Sequence, residues 1–379
     1  MQHSVVVSRL QVVLRPLTPM IILSGVDGIV GYDVVIRDHD VCIVDFNALP
    51  PEVAERLASA KDFRDIANTM EYFRNVIPCR LTSINNVGRL TLNTRVKLPH
   101  EHIVPGSTLK GYLRTAILYH ILTSRSISCD ELRKLIDFWD EPKNLANRLE
   151  RYVFKYQRLK PQGGEVDMLQ NLYVSDPIVK EPIKFSLEWL NVFERKELAS
   201  RTYKPIARIP GFVLLDGTLK FTLSILKTMP IFVAPQQIAS SLETTIMKLN
   251  EIVGLDILGT LREFGCSLLE YELKMLEGIE LLKEYKALLE GFKSRYCATS
   301  RGNCAVARIG FMTGHMAKTI DLYLKKSCLD IYEDVKKYMS AKARRLWDEA
   351  TIKLVGPSTS PYRLRGLGWC ELCIEKLSS

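Results

Sequence analysis

The sequence lacks any long hydrophobic run. Its longest apolar stretches, such as MIILSGV, are far shorter than the roughly 20 residues that a helix needs to cross a bilayer. The first residues also lack the charged and then apolar pattern of a secretory signal. We therefore expect a globular protein that stays in the cytoplasm and has no membrane partner.

Cysteine is present, but not in the pattern of a disulfide scaffold. The nine cysteines are scattered and odd in number. This favours a reducing cytosol without a disulfide framework. Cys370 and Cys373 form a lone C-x-x-C, which is not a zinc ribbon without a second pair. Alternating burial along a strand explains this pair better.

Histidine is scarce, since the chain has six. His100 and His102 lie two residues apart and could join Glu101 or His120 at a metal ion. However, such a pair in a loop is typical of a surface rather than of a ligand set. We expect no metal site and no cofactor.

Charge is unevenly distributed along the chain, whose net charge is +9. Residues 291–379 contain 16 Lys and Arg against 8 Asp and Glu, and residues 80–114 contain 6 basic residues against one acid. Residues 237–290 contain 5 basic and 10 acidic residues. The basic zones indicate a polyanion-binding surface, and the acidic zone, with Glu270 and Glu272, indicates a surface that faces protein. If charge is the only evidence, these clusters are explained equally well as ordinary faces in contact with solvent.

Hydrophobic periodicity predicts an α+β fold in which the pattern restarts near residue 165. The first half reads as strand, hairpin, helices, strand and helix, and the second as strands followed by helices. The predicted domains are 1–165 and 166–379, and Gly265 is expected to mark a break in a helical insertion in the second. Three long helical stretches are predicted, at about 130–156, 236–296 and 330–353.

The stretch VPGSTLKGYLRTAIL, residues 104–118, predicts a helix with Ser107 as its N-cap. Lys110 and Arg114 share a flank outside the apolar stripe, near the helix N-terminus. Cations there oppose the helix dipole, so a negative group is expected at that end. Gly106 would let a ligand approach the free amides, which is typical of a phosphate site. A capped helix with two solvated cations explains the same spacing.

Glycines beside cations recur in two later stretches. ARIGFMTGHMAKTI contains Arg308, Gly310 and Lys318, and RLRGLGW contains Gly366. Such glycines let the backbone come close to phosphate or base planes, although glycine also marks ordinary turns.

These stretches together resemble the RAMP superfamily of CRISPR-associated RNA-binding proteins, in which a Pro-Gly-Ser turn opens a helix bearing Lys-Gly and Arg-Thr. Within it the chain is most similar to the fifth Csm subunit of type III-A effector complexes. That similarity depends on the order of several stretches: LTPMIILSGVDGIVGYDVVI, LQNLYVSDP, IPGFVLLDGTLKFTL, ARIGFMTGHMAKTI and GLGW.

The resemblance implies tandem ferredoxin-like (RRM-like) domains with the long helical insertion in the second. It implies a non-catalytic RNA-binding subunit that caps the backbone filament at the 3′ part of the CRISPR RNA and assists RNA maturation in antiviral defence. The implied partners are CRISPR RNA, other Csm subunits and a recruited cellular nuclease. Matching positions give these RNA-binding candidates: Gly106, Ser107, Thr108, Lys110, Gly111, Arg114, Arg308, Gly310, Lys318 and Gly366.

A ribonuclease of the same superfamily is the alternative function. Asp27 and Asp33 lie in the region where related filament subunits carry the aspartate for target cleavage, although Asp27 sits in a tight GVDG turn. Guide processing would instead need a general base at the scissile ribose. Among the histidines, only His102 and His315 lie near the glycine-rich motifs.

Overall fold

The structure is a computed structural model that describes residues 4–38, 40–124, 128–135, 153–157, 165–179, 181–228, 256–298, 302–343, 348–357 and 363–376. The mixture of strands and helices in this part of the chain confirms the α+β class. The described strands are β1 (Ser4–Pro16), β2 (Leu23–Ile29), β3 (Val34–Ile36), β4 (Val41–Val44), β5 (Cys79–Asn85), β6 (Arg95–Pro99), β7 (Lys155–Gln157), β8 (Glu165–Asp167), β9 (Leu172–Val174), β10 (Ile178–Val179), β11 (Lys184–Glu194), β12 (Ala207–Asp216), β13 (Leu219–Thr228), β14 (Cys304–Arg308), β15 (Thr351–Val355), β16 (Arg365–Gly366) and β17 (Trp369–Lys376).

The described α-helices are α1 (Pro51–Ala58), α2 (Phe63–Tyr72), α3 (Gly106–Ser124), α4 (Cys129–Leu135), α5 (Arg195–Ala199), α6 (Ile257–Met275), α7 (Lys283–Tyr296), α8 (Asp321–Ser327) and α9 (Leu329–Ala343). None of these is both long enough and apolar enough to cross a bilayer.

A six-stranded antiparallel sheet has the order β10-β13-β1-β17-β14, with β9 also paired to β13. Strand β1 lies inside this sheet. Its Leu10 is opposite Leu223 of β13 on one side and Lys376 of β17 on the other. The first described strand therefore depends on two strands from the second half of the chain.

A nine-stranded mixed sheet has the order β2-β6-β12-β11-β5-β4-β3, and β15 joins β11 to β16. Strand β11 is parallel to β5, and β12 is parallel to β6. Both sheets combine strands from before and after residue 165, so the described strands do not sort into sheets at that boundary. The division into domains at residue 165 stays a prediction.

The largest apolar cluster joins the six-stranded sheet to helices α3, α6 and α7. On α3 the predicted stripe of Leu109, Leu113 and Ile117 is buried. The neighbouring Tyr112 packs its ring against Phe264 of α6, with 5.5 Å between the centroids. This packing fixes α3 against the sheet and leaves one flank of the helix to form a surface.

Helix α6 contains the glycine that was expected to mark a break. Gly265 lies inside α6, and a Cβ at this position would overlap the Val306 carbonyl oxygen of β14. The glycine therefore lets the helix approach the strand closely. The helical region instead breaks after Met275, near Gly278, whose φ is +77°.

Two other predicted helices have wrong ends. Residues 155–157 form β7, which pairs with β8, and residues 351–353 of the last predicted helix belong to β15, which pairs with the distant strand β11. Residues 136–152, 236–255 and 344–347, which belong to predicted helices, lie outside the described residues.

The prediction that the cysteines form no disulfide framework is wrong. Eight of the nine are paired, and the ninth, Cys370, is a buried free thiol. The partners lie 31 to 199 residues apart, so their pairing follows from the fold and is not visible in the spacing. The disulfides are Cys42–Cys79, Cys129–Cys328, Cys266–Cys297 and Cys304–Cys373.

We predict that one thiol per chain reacts when the protein is denatured without a reductant, because only Cys370 is unpaired. Thiol labelling followed by mass spectrometry measures this number. The matched control is the same protein denatured after full reduction, which should carry nine labels. Nine labels in the unreduced sample would show that the disulfides are absent.

Candidate nucleic-acid interface

The N-terminus of α3 already has a negative partner within the chain. The Gly106 amide donates a hydrogen bond of 2.8 Å to Asp176 Oδ1. A Cβ at Gly106 would overlap the Ser175 carbonyl oxygen, so glycine is needed where the two segments cross. Since α3 begins at Gly106, the exposed Ser107 is the second helical residue, and its prediction as the N-cap is wrong. The anion expected at this end is the chain's own carboxylate.

The two cations on the flank of α3 lie near another carboxylate of the chain. Arg114 Nη1 is 2.7 Å from Asp167 Oδ2, and the Arg114 guanidinium lies over the Phe154 ring at 4.9 Å. Burial lowers the pKa of the half-buried Lys110, and the negative charge of Asp167 opposes that shift. The alternative in which both cations are solvated does not hold for Arg114, because the fold brings Asp167 into an ion pair with it.

A groove runs along a different flank of α3. Its volume is about 420 Å³, and it joins three stretches that are far apart in sequence: the segment before β2, helix α3, and the chain after β14. The lining residues are Ile22, Leu23, Thr108, Gly111, Tyr112, Thr115, Arg308, Ile309, Gly310, Phe311, Thr313, Ala317 and Lys318. The groove therefore unites five of the ten predicted site residues, and it leaves out Lys110 and Arg114.

Helix α3 lines the groove with two threonine side chains and a glycine. Thr108, Gly111 and Thr115 follow one another at helical spacing, so they share one face of the helix. A Cβ at the exposed Gly111 would have no atom within 4 Å, so the helix backbone is accessible there. Sequence reasoning missed Thr115, although its spacing of seven residues from Thr108 places both hydroxyls on the same side.

The opposite wall depends on Gly310. This residue has a φ of +118°, and a Cβ here would lie 2.7 Å from the Ile21 carbonyl oxygen. The next residue, Phe311, donates its amide to that same oxygen at 2.8 Å. Gly310 thus lets the loop after β14 bond to the segment before β2, and the exposed Lys318 follows on the same loop.

Arg308 and Gly366 are buried, and each makes a contact that supports the fold. Arg308 is 8% exposed, and its Nη1 is 2.7 Å from Glu272 Oε2. Glu272, expected on the acidic surface, is therefore buried as the partner of this arginine, whereas Glu270 is exposed as expected. A Cβ at the buried Gly366 would overlap the Tyr285 hydroxyl, so this glycine makes room for a tyrosine.

The histidines do not assemble into the metal site considered from the sequence. His102 Nε2 is 3.5 Å from Glu101 Oε1 and 4.0 Å from Asp176 Oδ2, whereas His120 Nδ1 is 2.6 Å from Glu263 Oε2. In the described part of the chain, one group has the spacing of metal ligands: Cys304, Glu371 and Cys373. Its two cysteines form a disulfide, so their sulfurs are not available as thiolates.

The two aspartates of the ribonuclease alternative have partners of their own. Asp27 Oδ1 is 2.6 Å from Lys97 Nζ on the neighbouring strand β6. Asp33 Oδ2 accepts the Ile29 amide at 2.9 Å, which stabilises the turn between β2 and β3. Neither aspartate lines the groove.

Comparisons with known proteins found no matching family model and no matching curated protein. Two solved structures are similar over nearly the whole chain. One is a chain of the cryo-EM structure of a Csm-crRNA-target RNA ternary complex of a type III-A CRISPR-Cas system, with a TM-score of 0.57 and 14% identity over 97% of this chain and 100% of that one. The other is the crystal structure of T. onnurineus Csm5, with a TM-score of 0.54 and 14% identity over 94% and 99%. The resemblance is confirmed at the level of the fold.

We predict that Ala substitutions at the two glycines of α3 act in opposite directions. Gly106→Ala should lower the free energy of unfolding by about 1–3 kcal/mol, because the methyl group overlaps a backbone carbonyl. Gly111→Ala should raise it by about 0.5–1 kcal/mol, because alanine is a better helix former and has open space here. Denaturant unfolding measures both, and a stabilising Gly106→Ala would contradict the crossing at Asp176.

We predict that Arg114→Ala lowers the free energy of unfolding by about 1–2 kcal/mol. This loss lies between the losses that follow when a surface salt bridge and a buried salt bridge are broken. The physical reason is the loss of a partner for the half-buried Asp167 and of the contact with Phe154. Arg64→Ala, at an exposed arginine of α2, is the control and should change stability little. Equal stability of the two variants would mean that the Asp167 pair contributes nothing.

Proposed function

We propose that this chain, whose fold is that of Csm5, is a non-catalytic RNA-binding subunit of a type III CRISPR effector complex. The observation that carries the proposal is the groove between α3 and the loop after β14, where Thr108, Gly111, Gly310 and Lys318 meet. The likeness of fold over nearly the whole chain supports the same conclusion. The tandem ferredoxin-like arrangement of the RAMP superfamily is part of this proposal.

In this proposal the subunit works in the cytoplasm with CRISPR RNA and other Csm subunits. It caps the backbone filament at the 3′ part of the CRISPR RNA, assists its maturation in antiviral defence, and recruits a cellular nuclease.

The groove suits the sugar-phosphate backbone of a single strand. Gly111 and Gly310 let a strand come close to the protein backbone, and the hydroxyls of Thr108 and Thr115 can donate to phosphate or 2′-hydroxyl oxygens. Lys318 supplies a positive charge for a phosphate. Because such contacts involve the backbone, the binding should be largely independent of base sequence.

The groove offers no acid–base pair for RNA cleavage. Among the described residues its lining contains neither a histidine nor a carboxylate. Histidine and carboxylate side chains are the groups that most often act as general acid and base at a reacting ribose. We therefore favour the non-catalytic role over the ribonuclease.

We predict that Gly111→Glu weakens RNA binding about tenfold or more, because it places bulk and negative charge where a phosphate would lie. Gly291→Glu is the matched control, since Gly291 is also an exposed helical glycine with no atom within 4 Å of its added Cβ. Fluorescence anisotropy with labelled CRISPR RNA measures both affinities, and thermal melts check that both variants fold.

Salt titration adds a second readout to the same experiment. Lys318→Ala should weaken binding uniformly across RNA sequences and lower the slope of log affinity against log salt by about 1. If Gly111→Glu and Gly291→Glu bind RNA equally well, the RNA site lies elsewhere on the protein.

A further inference from the structure

A second cavity, of about 460 Å³, lies on the nine-stranded sheet and shares no lining residue with the groove. Its volume falls in the range of small-molecule sites, roughly 300–1,000 Å³. Strands β11, β12 and β15 form its base, and β16 and the start of α7 close it. The lining residues are Pro19, Asn86, Glu188, Leu215, Glu284, Val355, Gly356, Pro357, Arg363 and Arg365.

A buried carboxylate belongs to the base of this cavity. Glu188 is 8% exposed, and it lies two residues from Ser186 on β11, so the two side chains share one face of the sheet. Its Oε1 accepts hydrogen bonds from the Ser186 hydroxyl, at 2.7 Å, and from the Asn86 amide group. Both donors are neutral and both bind the same oxygen.

No cation among the described residues lies within ion-pair distance of Glu188. The second carboxylate oxygen, Oε2, has no hydrogen-bond donor in the same described ranges, and it is accessible from the cavity instead of being sealed inside the protein. Because Oε1 already accepts two hydrogen bonds, Oε2 is the oxygen that remains for a ligand. A ligand with N–H groups in this cavity can donate to it.

Two arginines line the same cavity. Arg363 and Arg365 are exposed, and within the described part of the chain neither forms an ion pair. Gly356, with a φ of +132°, lets the chain after β15 come close to this segment, because a Cβ there would lie 2.9 Å from the Arg363 carbonyl oxygen. Arginine side chains of this kind bind phosphate with two parallel hydrogen bonds.

We propose that this cavity is a second nucleotide site, which takes a guanine base at Glu188 and its phosphate at Arg363 and Arg365. The Watson–Crick edge of guanine presents two adjacent N–H groups, which suit a carboxylate acceptor better than the edge of any other RNA base. A cationic side chain from a protein partner would also satisfy Glu188. However, the two arginines would repel it, whereas a nucleotide satisfies both ends of the cavity.

Calorimetric titration of the full chain with GMP, AMP, CMP, UMP and inorganic phosphate tests this site. GMP should bind at least about tenfold more tightly than the other three nucleotides, because guanine is the base whose edge offers two neighbouring donors to Oε2. Glu188→Gln should remove this preference and leave phosphate binding unchanged, because the amide keeps the size of the side chain. Arg363→Ala and Arg365→Ala should weaken all four nucleotides, and each is an exposed position that does not threaten folding.

Gly111→Glu is the control that separates this site from the groove, since it should leave GMP binding unchanged. The proposal is overturned if no nucleotide binds at millimolar concentration, or if the four bind equally and Glu188→Gln has no effect. It is also overturned if arginine amide binds more tightly than GMP, which would identify the cavity as a socket for a partner's cationic side chain.

Discussion

A buried ion pair between Arg308 of β14 and Glu272 of α6 holds the helices on the six-stranded sheet. Tyr285 of α7 donates its hydroxyl to Glu272 Oε1 at 3.2 Å, and Trp369 of β17 donates its indole N–H to the Tyr285 hydroxyl at 3.0 Å. Burial raises the pKa of Tyr285, so this hydroxyl keeps its proton and remains a donor. Removing one charged partner would leave the other buried and uncompensated, which is strongly destabilising. Four elements therefore depend on one another through a single polar network.

Ion pairs within the chain reduce the number of cations that are available at the surface. Arg308 lies at the end of the strand that leads into the loop of the groove, but Glu272 already neutralises its charge. Arg114 is similarly paired with Asp167. The basic character of the chain therefore overstates its capacity to bind a polyanion, because the fold uses part of that charge internally.

Features that depend on residues close together in the sequence could be predicted from it. The apolar stripe of α3 and the hairpin of β3 and β4 followed from local periodicity, and Thr108, Gly111, Gly310 and Lys318 were marked by motifs and lie in one groove. Pairing between distant segments could not be predicted in this way.

Pairing between segments that are distant in sequence explains three differences between expectation and structure. The N-terminus of α3 is capped by a carboxylate some 70 residues away, whereas the motif pointed to its own serine. The disulfides join cysteines whose spacing carries no pattern. Residues 351–353 were predicted as the end of a helix, and they form a strand because they pair with residues 192–194 of β11.

The central position of β1 has a consequence for synthesis on the ribosome. Its two neighbours are β13 and β17, so β1 has no partner in this sheet until residues 219–228 have been made, and it lacks its second partner until residues 369–376 follow. Contacts between the two ends of a chain slow folding, because a large loop must close before they form. An unpaired strand edge is also the feature that invites association with other chains. The sheet can close around β1 only after residues 369–376 have been made, so β1 keeps an open edge, and the risk of association that comes with it, until that point.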